Sequence, residues 1–202
     1  MIVSRRGLLA TALVAVALAG CREPLPYPAQ IEAWHAEKDQ FMRESSESPV
    51  PAEKRATFPP LAYFPTDPDY RVSAGLEPAQ GGVAVEMPTS TGQRRKMRRV
   101  GTLTFMLKGQ PLSLGAFVEA DEKDMRRLFV PFGDLTNGIE TYNGGRYLDL
   151  ERTPTGLYEI DFNRAYHPFC LFNASYDCPY PPAESRLKVP IRAGERLSSP
   201  RH

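Results

Sequence analysis

Val100-Gly101-Thr102-Leu103-Thr104-Phe105-Met106-Leu107-Lys108-Gly109-Gln110-Pro111-Leu112-Ser113-Leu114-Gly115-Ala116-Phe117 is the stretch from which the fold can be read. Leu103, Phe105 and Leu107 stand at alternate positions, so they share one face of an extended chain. Lys108-Gly109-Gln110-Pro111 turns the chain, and Leu112, Leu114 and Phe117 return on a second strand. Toward the C-terminus, residues 128–132, 146–150 and 157–162 read as further strands. The last two are joined by Thr153-Pro154-Thr155-Gly156, a proline/glycine turn that would let them pair as a hairpin. Upstream, short extended pieces at 61–64 and 70–72 are broken by Pro59, Pro60, Pro65 and Pro68, and residues 81–88 give one more strand.

Between Ala29 and about Glu47, Ile31, Trp34, Phe41 and Met42 recur at near-helical spacing among charged residues. This predicts an amphipathic helix that lays Trp34 and Phe41 on the main sheet. Ser48-Pro49-Val50-Pro51 ends it, because a residue before proline is pushed out of the α region. With six to eight strands, one helix and no alternation of strand and helix, the prediction is a mainly β fold. It takes the form of an antiparallel β-barrel or sandwich with one N-terminal amphipathic helix. Twenty prolines agree with short strands and turns rather than a helical bundle.

The first residues carry a different message. Arg5 and Arg6 precede an uncharged apolar run from Leu8 to Ala19. About a dozen residues are too few for the roughly 20 of a spanning helix, but they suit the core of an export signal. Leu18-Ala19-Gly20-Cys21 resembles the lipobox of bacterial lipoproteins. That resemblance implies a signal peptide at 1–20, cleavage before Cys21, and acylation of Cys21 as the link to a lipid bilayer. Residues 21–28 would then be an extended tether. Arg22, rather than an aspartate, follows the cysteine; by the same resemblance this favours the outer membrane, facing the periplasm. An ordinary secretory signal is the alternative. Ser4-Arg5-Arg6-Gly7-Leu8-Leu9 also resembles a twin-arginine address, which is read by the system that exports folded proteins.

Cleavage would leave 182 residues, enough for one domain with a real core, and the expectation is a single β-rich domain at 29–196 with a tail at 197–202. The formal charge is +1 for the whole chain and close to −1 without the leader. No broad field points to nucleic acid. Five basic residues in six at 94–99 read as a solvated strand face, with an acidic partner as the minor alternative. Cys170 and Cys178 remain once Cys21 is acylated. In an oxidising compartment they read first as a disulfide. The rival is a metal site of His167, Cys170 and Cys178, which falls short of the usual four-ligand spacing.

Polar and aromatic residues crowd 131–195. The segments are Pro131-Phe132-Gly133-Asp134, Gly138-Ile139-Glu140-Thr141-Tyr142, Gly144-Gly145-Arg146-Tyr147-Leu148-Asp149-Leu150, and Ile160-Asp161-Phe162-Asn163-Arg164-Ala165-Tyr166-His167-Pro168. Further on come Cys178-Pro179-Tyr180-Pro181-Pro182-Ala183-Glu184-Ser185-Arg186-Leu187 and Ile191-Arg192-Ala193-Gly194-Glu195. With Tyr63-Phe64-Pro65 they closely resemble the bacterial family catalogued as domain of unknown function 1684, over about residues 30–196. The resemblance implies a shared fold and no particular reaction. His167 and Ser185 depart from the family pattern, each standing where asparagine is expected.

The candidate ligand-binding residues are Glu140, Tyr142, Arg146, Asp161, Asn163, Tyr166, Glu184 and Arg186. Asp149 and Asp161 would approach a common edge if their strands pair, and close carboxylates can split acid and base roles. The blander reading pairs them with Arg146, Arg152 or Arg164. No serine-histidine-acid order, phosphate-cradling loop or His-Glu metal motif is present, and no cofactor is favoured. The favoured expectation is an envelope lipoprotein that binds a small molecule or envelope component on the 131–195 face. The alternatives are a hydrolase-like or metal-dependent enzyme using Glu140, Asp161 and Cys170/Cys178, and a structural subunit that recruits partners through its helix or basic strand.

Overall fold

The computed structural model describes residues 24–199 apart from 125 and 156; the leader, Cys21 and Arg22 lie outside the described residues. Among the described residues no helix is long and apolar enough to cross a membrane. Two helices, α1 (Tyr27–Glu44) and α2 (Ala52–Arg55), precede eight strands: β1 (Ala62–Tyr63), β2 (Arg71–Pro88), β3 (Arg94–Leu107), β4 (Gln110–Glu119), β5 (Arg127–Phe132), β6 (Arg146–Glu151), β7 (Tyr158–Asp161) and β8 (Glu195–Arg196). Six of them form one antiparallel sheet in the order β6-β5-β4-β3-β2-β7, and β1 pairs with β8. The end strands β6 and β7 meet through one bridge, Arg152 to Tyr158, so the sheet curls into a nearly closed barrel rather than a sandwich.

The hairpin of residues 100–117 forms as its alternation dictates. Leu103 faces Leu114 and Phe105 faces Leu112 across the β3–β4 ladder. Leu103 and Leu114 are wholly buried, as are Val130, Phe132, Ile160 and Phe162. Each large apolar side chain buried in this way stabilises the fold by roughly 1.5–3 kcal/mol. Phe132 and Phe162 pack edge to face with centroids 5.3 Å apart, a geometry that adds about 0.5–1.5 kcal/mol.

Three expectations are corrected. The pieces at 70–72 and 81–88 belong to one strand, β2, whose register against β3 shifts between Pro78 and Val83. Gly81 and Gly82 hold φ of +71° and +69° there, values that glycine alone adopts at no steric cost. β6 and β7 pair only at the turn that joins them, where the Thr153 N–H donates to the Leu157 carbonyl and Arg152 bridges Tyr158. The inserted 3-10 turn Phe162–Arg164 parts them beyond it, while the other edge of β7 ladders onto β2 with Val72 opposite Ile160. The helix starts at Tyr27, inside the expected tether, because a proline in the first turn has no N–H to lose. It ends at Glu44, three residues before the expected Glu47.

The contacts of α1 also differ from expectation. Ile31 and Met42 are its buried residues, while Trp34 and Phe41 are half-buried. Phe41 stacks on Phe169 of the 3-10 turn Phe169–Leu171 rather than on the sheet. The expected basic face is present on β3: Arg94, Arg95 and Lys96 are exposed, with Arg95 3.8 Å from Glu119 and Arg99 3.7 Å from Glu184.

Candidate functional site

Arg146 opens β6 with its side chain in the barrel, wholly buried. It meets the Asp134 carboxylate at 2.9 Å and donates to the backbone carbonyls of Ile191, Ala193 and Glu195. Asp134 accepts in turn from the backbone N–H groups of Thr136 and Ile191. Together the pair fastens the C-terminal strap over the barrel end. Every partner is internal, so the predicted binding role of Arg146 gives way to a packing role.

A second buried chain starts on the helix. Lys38 Nζ lies 2.7 Å from Glu195 Oε1, and Glu195 Oε2 accepts from the His167 backbone N–H at 2.8 Å and faces its Nδ1 at 3.3 Å. His167 Nε2 accepts the Tyr142 N–H at 3.2 Å, which assigns the proton to Nδ1. Burial works to raise the Glu195 carboxyl, but Lys38 and His167 outweigh it and hold the group down to about 2. Burial keeps the His167 imidazole below its ordinary range, hence neutral. With both ring nitrogens engaged, His167 has no lone pair left for the proposed metal site, and the described residues hold no cluster of three metal-ligating side chains.

Asp161 and Asn163 end β7 in a third network. Asp161 Oδ1 accepts from Tyr27 Oη at 2.8 Å and from the Asn163 N–H at 3.0 Å. Asn163 accepts the Asp67 N–H and donates to Tyr27 Oη and to the Asp67 carbonyl. This closes the first turn of α1 onto the barrel. Burial, then the Asp161 carboxylate, push the Tyr27 phenol far up.

The opening lies beside this knot. Tyr147 bridges Tyr166 at one end of the seam and Arg152 bridges Tyr158 at the other. Between those bridges β6 takes five residue steps while the opposite chain takes eight, because the 3-10 turn Phe162–Arg164 is inserted there. The excess cannot be paired and leaves a groove of about 570 Å³, lined by Arg127, Asp149, Glu151, Arg152, Glu159, Asp161, Arg164 and Tyr166, with Trp34 of α1 at its edge. Tyr166 donates to Asp149 Oδ2 at 2.7 Å, Arg164 lies 3.5 Å from Asp161, and Glu159 pairs with Arg71 at 2.7 Å. Among the described residues Arg127, Arg152 and Glu151 have no ion-pair partner, so the lining offers unpaired charge of both signs.

Of the sequence-predicted residues, only Asp161 and Tyr166 reach this groove. Asp149 joins them, as its strand position foretold, yet it and Asp161 serve different hydrogen-bond donors rather than one another. Glu140 lines a separate cleft with Tyr63, Phe64, Pro65 and Arg196 and pairs with Arg192 at 2.9 Å. An acid pair of Glu140 and Asp161 is therefore not assembled. Glu184 sits on the exposed rim near Arg99, and Arg186 donates to the Pro181 carbonyl. Ser185 is buried and accepts the Gly115 N–H at 3.1 Å. Cys170 and Cys178 stand side by side, the Cys170 N–H 3.2 Å from Cys178 Sγ, with no bond between the sulfurs. Tyr142 places its hydroxyl 3.9 Å from Cys170 Sγ.

Sequence reasoning missed Trp34, Arg127 and Arg152 as groove residues, and Lys38, Asp134 and Glu195 as buried charges. The alternation of β5 and β6 put Arg127 opposite Glu151, a signal that was available once those strands were assigned.

Comparison with known proteins bears on the whole domain. The family described as "Protein of unknown function (DUF1684)" matches residues 56–196. An uncharacterised protein of Haloarcula marismortui, solved by solution NMR, is 40% identical, with a TM-score of 0.65 over 84% of this chain and 93% of that one. No curated protein matches the chain.

Proposed function

The chain belongs to the DUF1684 family of proteins of unknown function, and from that premise we propose that it is a lipid-anchored envelope lipoprotein whose barrel seam binds a small molecule or envelope component. The observation that carries the binding role is the mismatch of five steps against eight between the two seam bridges. It holds open a concave site in a sheet that is otherwise closed and filled. Convergent polar groups in a concave site are the usual mark of binding. Arg127 and Arg152 offer charge to an anionic group, and Trp34 offers a flat apolar face to a ring or chain. The anchoring role rests on the lipobox-like sequence ending in Cys21.

Trp34 is the sole tryptophan of the chain and lies at the groove edge, so its fluorescence reports occupancy directly. Adding fractionated envelope extract to the purified protein should shift Trp34 emission, and Arg152→Gln should weaken the response at least about tenfold, the loss of one charge-assisted contact. Emission unchanged by every fraction, with no rise in thermal stability, would discard the binding role. Mass spectrometry of the mature N-terminus tests the anchor separately: an unmodified Cys21 would discard it.

A further inference from the structure

Two thiols with unequal access meet at the joint between α1, the β2–β3 turn and the 3-10 turn Phe169–Leu171. Cys170 is half-buried and Cys178 buried. The Cys170 N–H points at Cys178 Sγ from 3.2 Å. Cys178 is gripped on both sides by the turn after β2: its N–H donates to Ser90 Oγ at 3.1 Å and its carbonyl accepts the Ser90 N–H at 2.9 Å. Thr91 also hydrogen-bonds Asp177. Cys170 is less buried and lies beside the Tyr142 hydroxyl, its own N–H on Cys178 Sγ. The less buried thiol thus lies against one that the turn after β2 holds in a fixed position.

We infer that Cys170 and Cys178 form an exchangeable dithiol–disulfide pair, with Cys170 the entering nucleophile and Cys178 the resolving thiol, that reacts with low-molecular-weight disulfides. In the first step the Cys170 thiolate attacks one sulfur of the small disulfide. A Cys170–sulfur bond forms, the small S–S bond breaks, and one small thiolate leaves. In the second step the Cys178 thiol gives up its proton to solvent and attacks Cys170 Sγ, which expels the second small thiolate. The protein has lost two electrons and two protons, and one small disulfide has become two thiols. Hydrogen bonding from Cys178 lowers the Cys170 thiol below the usual range, while Cys170 and burial raise Cys178. That is the order of reactivity the sequence of steps requires.

This inference is independent of the groove and of the anchor. Fully reduced protein is incubated with glutathione disulfide, quenched in acid and mapped by peptide mass. Wild type should close a Cys170–Cys178 bond that excess dithiothreitol reopens in the folded protein. Cys178→Ser should stop at glutathione on Cys170, and Cys170→Ser should react at least about tenfold more slowly, in keeping with a buried thiol. Because a serine variant can fail to fold, alkylation of the unmutated protein by iodoacetamide against pH provides a second readout. It should modify Cys170 first, with a midpoint below that of free cysteine. Glutathione on Cys178 in preference, a Cys170 midpoint at or above that of free cysteine, or a bond that dithiothreitol cannot reopen without denaturant would each overturn the assignment.

Discussion

The guanidinium of Arg146 and the carboxylate of Asp134 meet at 2.9 Å with neither side chain exposed at all. Two charges out of water are tolerated because most of their remaining hydrogen-bonding positions are filled, by the carbonyls of 191, 193 and 195 and the N–H groups of 136 and 191, with the Arg146 Nε alone left over. The pair is therefore a clasp between β6, the loop after β5 and the C-terminal strap. Asp134→Ala strands a buried cation, and it should cost about 3–5 kcal/mol in urea or guanidinium unfolding. The joint change Asp134→Leu with Arg146→Met should cost less than Asp134→Ala alone, because no unpaired charge is left behind. If Asp134→Ala costs under about 1 kcal/mol, water reaches the site and the clasp is not as described.

Tyr27 makes a smaller connection of the same kind, from the first turn of α1 to Asp161. Tyr27→Phe removes one donor from a carboxylate that keeps the Asn163 N–H, so the expected loss is about 1–2 kcal/mol. Hydrogen exchange should show the loss concentrated in the N-terminal half of α1. Unchanged protection there would mean that the helix is held by Ile31, Met42 and the Lys38–Glu195 pair without help from Tyr27.

Gly194 has φ of +76°, and a Cβ there would stand 2.5 Å from the Ala165 carbonyl oxygen and 2.6 Å from that of Phe162. Its neighbour Glu195 donates its N–H to that same Ala165 carbonyl, and Gly194 itself accepts the Phe64 N–H. Gly194→Ala should therefore cost at least about 2 kcal/mol, from the left-handed backbone and the clash together. It should also loosen the β1–β8 pairing, measurable as faster exchange at Phe64. A neutral substitution would show that the strap can shift without unseating Glu195.

Where apolar residues alternate, the fold was legible. Leu103, Phe105 and Leu107 announced β3, and Leu148 and Leu150 announced the inward face of β6. Pairing was less legible, because nothing local to residues 158–161 says that β2, some 85 residues upstream, will ladder onto them. The site was the least legible part. Arg146, Asp161 and Asn163 look the same in sequence whether they face a ligand or one another; the choice was made by partners far along the chain, Asp134, Tyr27 and Asp67. The groove comes from a difference in length between two paths, which no single residue carries.

The buried chain from Lys38 through Glu195 to His167 predicts how stability responds to acid. The imidazole of His167, and that of His35 stacked 3.5 Å from Tyr63, are both held by burial below the ordinary histidine value of 6.5. The unfolded chain thus takes up those protons first, and stability should begin to fall as pH drops below about 6.5. Glu195 has the opposite charge type and the same consequence at lower pH. Its carboxyl sits at about 2 in the fold against an ordinary 4.5, so its stabilisation is complete above about 4.5 and is lost as pH falls toward about 2. That second loss amounts to about 3–4 kcal/mol at most, taking about 1.4 kcal/mol for each pH unit. Urea midpoints at constant ionic strength from pH 8 to 3 should therefore fall in two stages. His167→Gln keeps an acceptor for the Tyr142 N–H but cannot titrate, and it should flatten the upper stage to the part that His35 supplies. A midpoint that stays level from pH 7 to 5 in the unmutated protein would show that the fold does not hold the two imidazoles below their unfolded values.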